Sequence, residues 1–211
     1  PVKGNKLVTT LDANIQQFAE DVCKTAYDAY DPEYTDSIVM NPKTGEIYAM
    51  AQYPSFDLND PMKLTDLGKT NISSTWDKMT DKQKNDLANK AWKNFAITDT
   101  FEPGSIYKPI VVAMALEEGV IKSTDSFYCG GVKKIADSEI HCHNRNGHGT
   151  LSLTGVLAQS CNIGMMEIIT KLGAEKYLQY QHDFGFGEKT GIDLPNEASA
   201  SNLLYSLSNL H

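Results

Sequence analysis

No apolar run in the 211 residues approaches the roughly 20 that a membrane-spanning helix needs. The start, Pro1-Val2-Lys3-Gly4, has no signal-peptide anatomy. The end, Ser206-Leu207-Ser208-Asn209-Leu210-His211, has no cap or turn chemistry to close a domain. Both ends read as cuts, and the expectation is a soluble portion of a longer protein. Base is also scarce: 19 Lys and Arg face 27 Asp and Glu, a net charge of −8. With no lysine-rich face to neutralise phosphates, a nucleic-acid partner is not expected. Cysteine is limited to Cys23, Cys129, Cys142 and Cys161, too few for a disulfide scaffold. Repeats and low-complexity tracts are lacking, which excludes solenoids. The length suits one sizeable domain, or one domain with a small satellite.

Over residues 12–30 the apolar positions Ile15, Phe18, Ala19, Val22, Cys23, Ala26, Tyr27 and Tyr30 recur at spacings of three and four. That predicts a helix with Cys23 in its core face. Thr10 or Asp12 can cap its start, and Asp31-Pro32 ends it, because the residue before proline is pushed out of the helical region. Residues 37–40 and 47–51 are apolar runs around Asn41-Pro42-Lys43-Thr44-Gly45-Glu46, predicting an antiparallel hairpin placed centrally in a sheet. The polar stretch 54–93 reads as loop followed by a surface helix over 77–93. An apolar helix is predicted over 106–118, ended by Gly119, with Pro109 tolerated in its first turns. A second hairpin is predicted over 132–142, then helices at 154–159, 163–172 and 174–183. Strands first and helices later predict an α+β fold. The sheet-forming part would occupy about 1–100 and the helical part about 101–211.

Ser105-Ile106-Tyr107-Lys108 is the only Ser-x-x-Lys in the chain. At a helix N-terminus that spacing sets both side chains on one face within hydrogen-bonding reach. A serine hydroxyl needs a base to take its proton, and a lysine desolvated against Ile110-Val111-Val112-Ala113-Met114 can serve once neutral. The bland alternative is an N-cap serine beside a solvated lysine. The only Ser-x-Asn, Ser160-Cys161-Asn162, falls where one predicted helix breaks and the next begins. There a hydroxyl can relay a proton, and a carboxamide can hold both a substrate carbonyl and the lysine. An N-cap for the helix at Ile163 is the alternative reading of either residue.

Glu102-Pro103-Gly104-Ser105-Ile106-Tyr107-Lys108-Pro109 resembles the active-site signature of class B penicillin-binding proteins, and Ser160-Cys161-Asn162 resembles their second motif. The resemblance extends in order through Leu7-Val8-Thr9-Thr10-Leu11-Asp12 with Gln16, Asn41-Pro42-Lys43-Thr44-Gly45-Glu46-Ile47 and Pro54-Ser55-Phe56-Asp57. It ends on Gly187-Glu188-Lys189-Thr190-Gly191-Ile192-Asp193-Leu194-Pro195. It implies the transpeptidase fold shared with serine β-lactamases, an antiparallel sheet with packed helices plus a helical subdomain. It also implies a peptidoglycan D,D-transpeptidase in which Ser105 attacks a D-Ala-D-Ala stem peptide or a β-lactam. Lys108 would be base, Ser160 proton relay, and Asn162 ligand to substrate and lysine, with no cofactor required for the chemistry. The location implied is the outer face of the cytoplasmic membrane, through an anchor outside the chain, with other cell-wall synthesis proteins as possible partners.

Lys189-Thr190-Gly191 spells the family's third motif, but its surroundings resemble a separate loop whose glycines and proline serve turns. The third-motif strand is therefore expected beyond His211, and this chain alone is expected to be short of a complete site. The resemblance leaves two rival classes. One is a serine β-lactamase or D,D-carboxypeptidase that passes the acyl group to water; the other is a β-lactam sensor or assembly scaffold.

Cys129, His141, Cys142, His143 and His148 gather around the second predicted hairpin. Zinc held by Cys129, Cys142 and one or two of His143 and His148 is one reading, a Cys129–Cys142 disulfide another, and free thiols a third. In strand alternation His141 and His143 share a face and Cys142 takes the other, so all three cannot be ligands without a bulge.

Overall fold

Asp12 starts the first helix: its carboxylate accepts from the backbone N–H groups of Asn14 and Ile15, and α1 (Ala13–Tyr30) follows. Thr10 does not cap it; its hydroxyl donates instead to the Ile47 carbonyl. The helix ends at Asp31, whose φ of 55° is left-handed, directly before Pro32. The computed structural model describes residues 4–64, 66–67, 70–71 and 75–209. It divides into two compact units, Pro1–Asp99 and Thr100–His211. None of its helices is long and apolar enough to cross a membrane among the described residues.

In the first unit, α1 buries Ala19, Cys23 and Tyr27, one turn apart, so a single stripe meets the sheet. The partner is the predicted hairpin, β1 (Thr35–Met40) antiparallel to β2 (Ile47–Tyr53), in register from Thr35 opposite Tyr53 to Met40 opposite Ile47. Ala49 and Ala51 face the helix and are buried, and their small side chains let it lie close. Gln16 reinforces that approach by accepting from Met50 N–H and donating to Met50 C=O. Asn41 and Gly45, with φ +78°, close the turn as its sequence predicts. Among the described residues this ladder is two-stranded and not the centre of a larger sheet, because the unit's other strands, β3 (Asp66–Leu67) and β4 (Thr70–Asn71), pair only with each other. The polar stretch supplies α2 (Asp81–Ala91), started by a capping box between Thr80 and Gln83, and the short α3 (Phe95–Thr98). A small core of Leu64 and Ala88 with Phe56, Trp76 and Leu87 lies under α2.

The second unit is built on α4 (Lys108–Glu117), α5 (Leu153–Ala158), α6 (Asn162–Leu172) and α7 (Ala174–Asp183). Helix α4 is apolar nearly all round and buries Val111, Val112, Met114 and Ala115, so it forms the interior of this unit. In the same unit β6 (Val132–Ile135) and β7 (Ser138–His141) form the second predicted hairpin. Strands β5 (Ser126–Cys129) and β8 (Gly149–Ser152) also pair, an arrangement that sequence patterning did not foresee. Each has four residues, too few for alternation to stand out, although Phe127 and Cys129 point inward and their neighbours outward. Helices α5 and α6 meet at Gly164, where a Cβ would stand 2.8 Å from Val156 Cγ2. Phe127, Val156, Cys161 and Ile168 pack at the centre of the core.

Truncating Ile168, which is fully buried, is expected to cost about 2–5 kcal/mol through lost burial and a cavity. Removing the exposed cap in Asp12→Ala should cost only about 1 kcal/mol. Urea denaturation of the two variants checks the order.

Candidate active site

The sequence places a proline one residue after Lys108, and this shapes the site. An α-helix begun at Gly104 would need the N–H of residue 109 to reach the Ser105 carbonyl, and Pro109 has none. The Lys108 N–H takes that carbonyl instead, closing a 3₁₀ turn over Gly104–Tyr107. Ser105 therefore sits on a 3₁₀ turn ahead of α4, not in the α-helix itself. Three residues per turn stack positions i and i+3, which sets Ser105 above Lys108. Gly104, at φ +59°, makes the bend that leads into the turn.

The Lys108 side chain reaches the junction of α5 and α6. Its ammonium donates to the Ser160 carbonyl at 2.7 Å, to Ser160 Oγ at 3.0 Å and to Asn162 Oδ1 at 2.7 Å. Those three bonds use all three of its N–H donors. No hydrogen bond joins it to Ser105 Oγ among the described residues, so the direct contact expected from the spacing is not formed. Burial pushes the pKa of Lys108 down from the ordinary lysine value, and the neighbouring Cys142 and Cys161 sulfurs, when ionised, work against that.

The junction has its own local cause. Helix α5 ends with Ser160 N–H on the Leu157 carbonyl and Cys161 N–H on the Val156 carbonyl. Ser160 takes a left-handed φ of 45°, rare for a residue with a Cβ. Cys161 caps α6, its sulfur accepting from the Gly164 N–H at 3.4 Å. Neither Ser160 nor Asn162 is spent as an N-cap, so both side chains are free to face the lysine. Asn162 is steadied from behind by donating to the His141 carbonyl.

Ser105, His143, Ala158, Gln159, Ser160 and Asn162 line one open cleft of about 470 Å³. The hydroxyls of Ser105 and Ser160 and the carboxamide of Asn162 thus share a cavity, and Lys108 is bonded to the latter two. Lys189-Thr190-Gly191 is absent from that lining. It lies in an exposed turn where Thr190 N–H and Oγ1 bind the Glu197 carboxylate.

Of the suggested metal ligands, Cys129, Cys142 and His148 come together, joined by Cys161, with ligand atoms all within 4.8 Å of one another. His143 stands outside the group. It follows Cys142 in the chain with its Nδ1 3.9 Å from Cys142 Sγ, is exposed, tilts against the His148 ring at 5.0 Å and borders the cleft. Cys129 and Cys142 are both free thiols, so no disulfide joins them. Burial favours the protonated form of Cys142, yet the backbone N–H groups of Asn162 and Asn144 and the thiols of Cys129 and Cys161 bring its pKa below the ordinary thiol value. Cys161 escaped sequence reasoning because it is the variable middle residue of Ser-x-Asn. Its signal was present in the small count of cysteines, three of which fall between 129 and 161.

The family model for the "Penicillin binding protein transpeptidase domain" matches residues 37–209. The chain belongs to the penicillin-binding-protein transpeptidase family. Among the relatives of this transpeptidase domain, Stage V sporulation protein D of Bacillus subtilis is 34% identical over 200 residues, covering 94% of the chain and 28% of the relative. Penicillin-binding protein PbpB of Mycobacterium tuberculosis is 27% identical over 198 residues, covering 94% and 26%. The chain thus spans well under half the length of these relatives. A crystal structure of a peptidoglycan glycosyltransferase from Burkholderia ambifaria superposes with a TM-score of 0.70 at 23% identity, over 91% of this chain and 49% of that one, and shows the shared fold. The α+β architecture is that of a penicillin-binding-protein transpeptidase domain.

The left-handed Ser160 gives a direct test. Ser160→Gly relieves the backbone strain and is expected to raise stability by about 0.5–1 kcal/mol, whereas Ser160→Ala keeps the strain and gains nothing. Thermal denaturation of the pair measures the difference.

Proposed function

We propose that this domain is the acyl-transfer part of a peptidoglycan D,D-transpeptidase that works through an acyl-enzyme on Ser105. The observation that carries the reading is the triple anchoring of Lys108 by Ser160 and Asn162 on the wall of the cleft that holds Ser105. A purely structural surface lysine has no reason to spend all its donors on two residues that line a cleft with an exposed hydroxyl.

Ser105 Oγ attacks the carbonyl carbon of the penultimate D-alanine in a stem peptide while its proton passes to neutral Lys108. Neutral lysine has two N–H groups and a lone pair. Loss of the longest of its three bonds, the 3.0 Å one to Ser160 Oγ, turns that lone pair toward Ser105. The Ser105 backbone N–H, at the positive end of the turn leading into α4, faces the oxyanion as it develops. The C–N bond to the terminal D-alanine then breaks, and Lys108 returns the proton to the leaving nitrogen by way of Ser160 Oγ. An amine of a neighbouring stem peptide attacks the ester, and Ser105 Oγ leaves with the proton that the amine gives up. Asn162 holds Lys108 through its carbonyl oxygen and, with one amide N–H on the His141 carbonyl, offers the other to the substrate. A β-lactam follows the first half: its ring amide opens onto Ser105, and the amine stays tethered in the cleft. A domain acting on stem peptides would work outside the cytoplasmic membrane, where other cell-wall synthesis proteins would be its neighbours.

The full-length protein incubated with a fluorescent penicillin is expected to gain one adduct by intact mass, and Ser105→Ala none. Ser160→Gly, although more stable, should acylate about 10²–10⁴ times more slowly because the relay hydroxyl is gone. Continuous hydrolysis of the penicillin in place of a lasting adduct would make the domain a hydrolase. No adduct with the intact enzyme would contradict the proposal.

A further inference from the structure

The four side chains Cys129, Cys142, His148 and Cys161 come from four separate places: the end of β5, the residue after β7, the residue before β8, and the cap of α6. Their ligand atoms nevertheless lie within 4.8 Å of one another, and Cys142 Sγ is 3.7 Å from His148 Nδ1. In a tetrahedral zinc site, Zn–S bonds of about 2.3 Å and Zn–N of about 2.0 Å put neighbouring ligand atoms about 3.5–3.8 Å apart. The Cys142–His148 separation already has that length, and the remaining gaps close by at most about 1.3 Å.

The backbone is shaped for this convergence. Gly131 and Gly147, at φ +88° and +81°, let two chain segments touch where a side chain would not fit. A Cβ on Gly131 would lie 2.1 Å from the Arg145 carbonyl oxygen, and one on Gly147 would lie 2.4 Å from the Cys129 carbonyl oxygen. That crossing brings Cys129 to the loop carrying His148. The sulfurs also have donors suited to thiolates: Gly164 N–H points at Cys161, and the N–H groups of Asn144 and Asn162 at Cys142. Helix capping accounts for the Gly164 donor, but three buried thiols packed as plain apolar groups would need neither the donors at Cys142 nor an imidazole among them.

We propose that Cys129, Cys142, His148 and Cys161 bind one zinc ion in a closed structural site that fixes the Ser160–Asn162 turn. Three thiolates and one neutral imidazole form a soft tetrahedral set that selects zinc and leaves no open position for chemistry. Binding releases the three thiol protons to solvent and forms three Zn–S bonds and one Zn–N bond. Cys161 lies between the two residues that hold Lys108, so the ion clamps that turn to the end of β5 at Cys129 and to the loop carrying His148. The remaining charge of the site is −1, and the sulfur-directed N–H groups face it. His143 stays outside the coordination sphere.

Elemental analysis of the full-length protein, purified under reducing conditions without chelator, is expected to find one zinc per chain. Exchange with Co²⁺ should give the visible absorption of a tetrahedral thiolate site. Cys161→Ala and His148→Ala should lose the metal, and His143→Ala should keep it. In case the ligand variants fail to fold, chelator treatment of the wild type should lower its melting temperature, and added zinc should restore it. No zinc and no cobalt spectrum, a mass lower by two hydrogens from a Cys129–Cys142 disulfide, or metal lost from His143→Ala but kept in Cys161→Ala would each overturn the proposal. These readouts involve no β-lactam, so failure here and failure of the acyl-enzyme reading are separable.

Discussion

The placement of one ammonium group governs the second unit. Drawing Lys108 away from water is unfavourable unless its charge meets acceptors, and here three are supplied within 3.0 Å by a single tripeptide. The same arrangement creates a tension that acid–base chemistry needs. The acceptors hold the charged form, while burial favours the neutral form and pulls the pKa down. A lysine in open solvent would be a weak base at neutral pH only because it stays protonated. One that is partly desolvated and fixed in position can exchange its proton with a nearby hydroxyl.

Everything that supports this contact is built from ordinary packing. Pro109 forces the 3₁₀ turn that sets Ser105 over Lys108, and Gly164 lets α6 settle against Val156, which fixes where α6 begins. The left-handed Ser160 is the strained element, and it persists because the chain on either side is over-determined. Leu157 and Val156 carbonyls hold it from α5, and the buried Cys161 cap holds it from α6. Strain at this residue aims both its carbonyl and its hydroxyl at one ammonium. A relaxed helical conformation would direct the carbonyl along the helix axis.

Much of this was legible in the residues. Helix α1 followed from apolar spacing, its hairpin partner from Asn41, Pro42 and Gly45, and the convergence of Lys108 with Ser160 and Asn162 from their side-chain chemistry at two helix boundaries. What could not be read was set by tertiary contact. Strands β5 and β8 are four residues each and pair across the intervening hairpin, so no local period marks them. The place of Cys161 beside Cys129 and Cys142 depends on the crossing at Gly131 and Gly147, a relation between segments 16 residues apart. The Ser105–Lys108 spacing was right for a shared face, but spacing alone does not show that the lysine's donors are already taken.

The central claim is that Lys108 accepts the Ser105 proton as a neutral base, and the pH dependence of β-lactam acylation tests it most directly. Because burial lowers the pKa of this lysine, the acylation rate of the full-length protein should rise with pH and level off below the ordinary lysine value of 10.5. Lys108→Arg, which cannot lose its proton in this range, should be slow at every pH. A flat profile, or an arginine variant that acylates as fast as the wild type, would contradict the account.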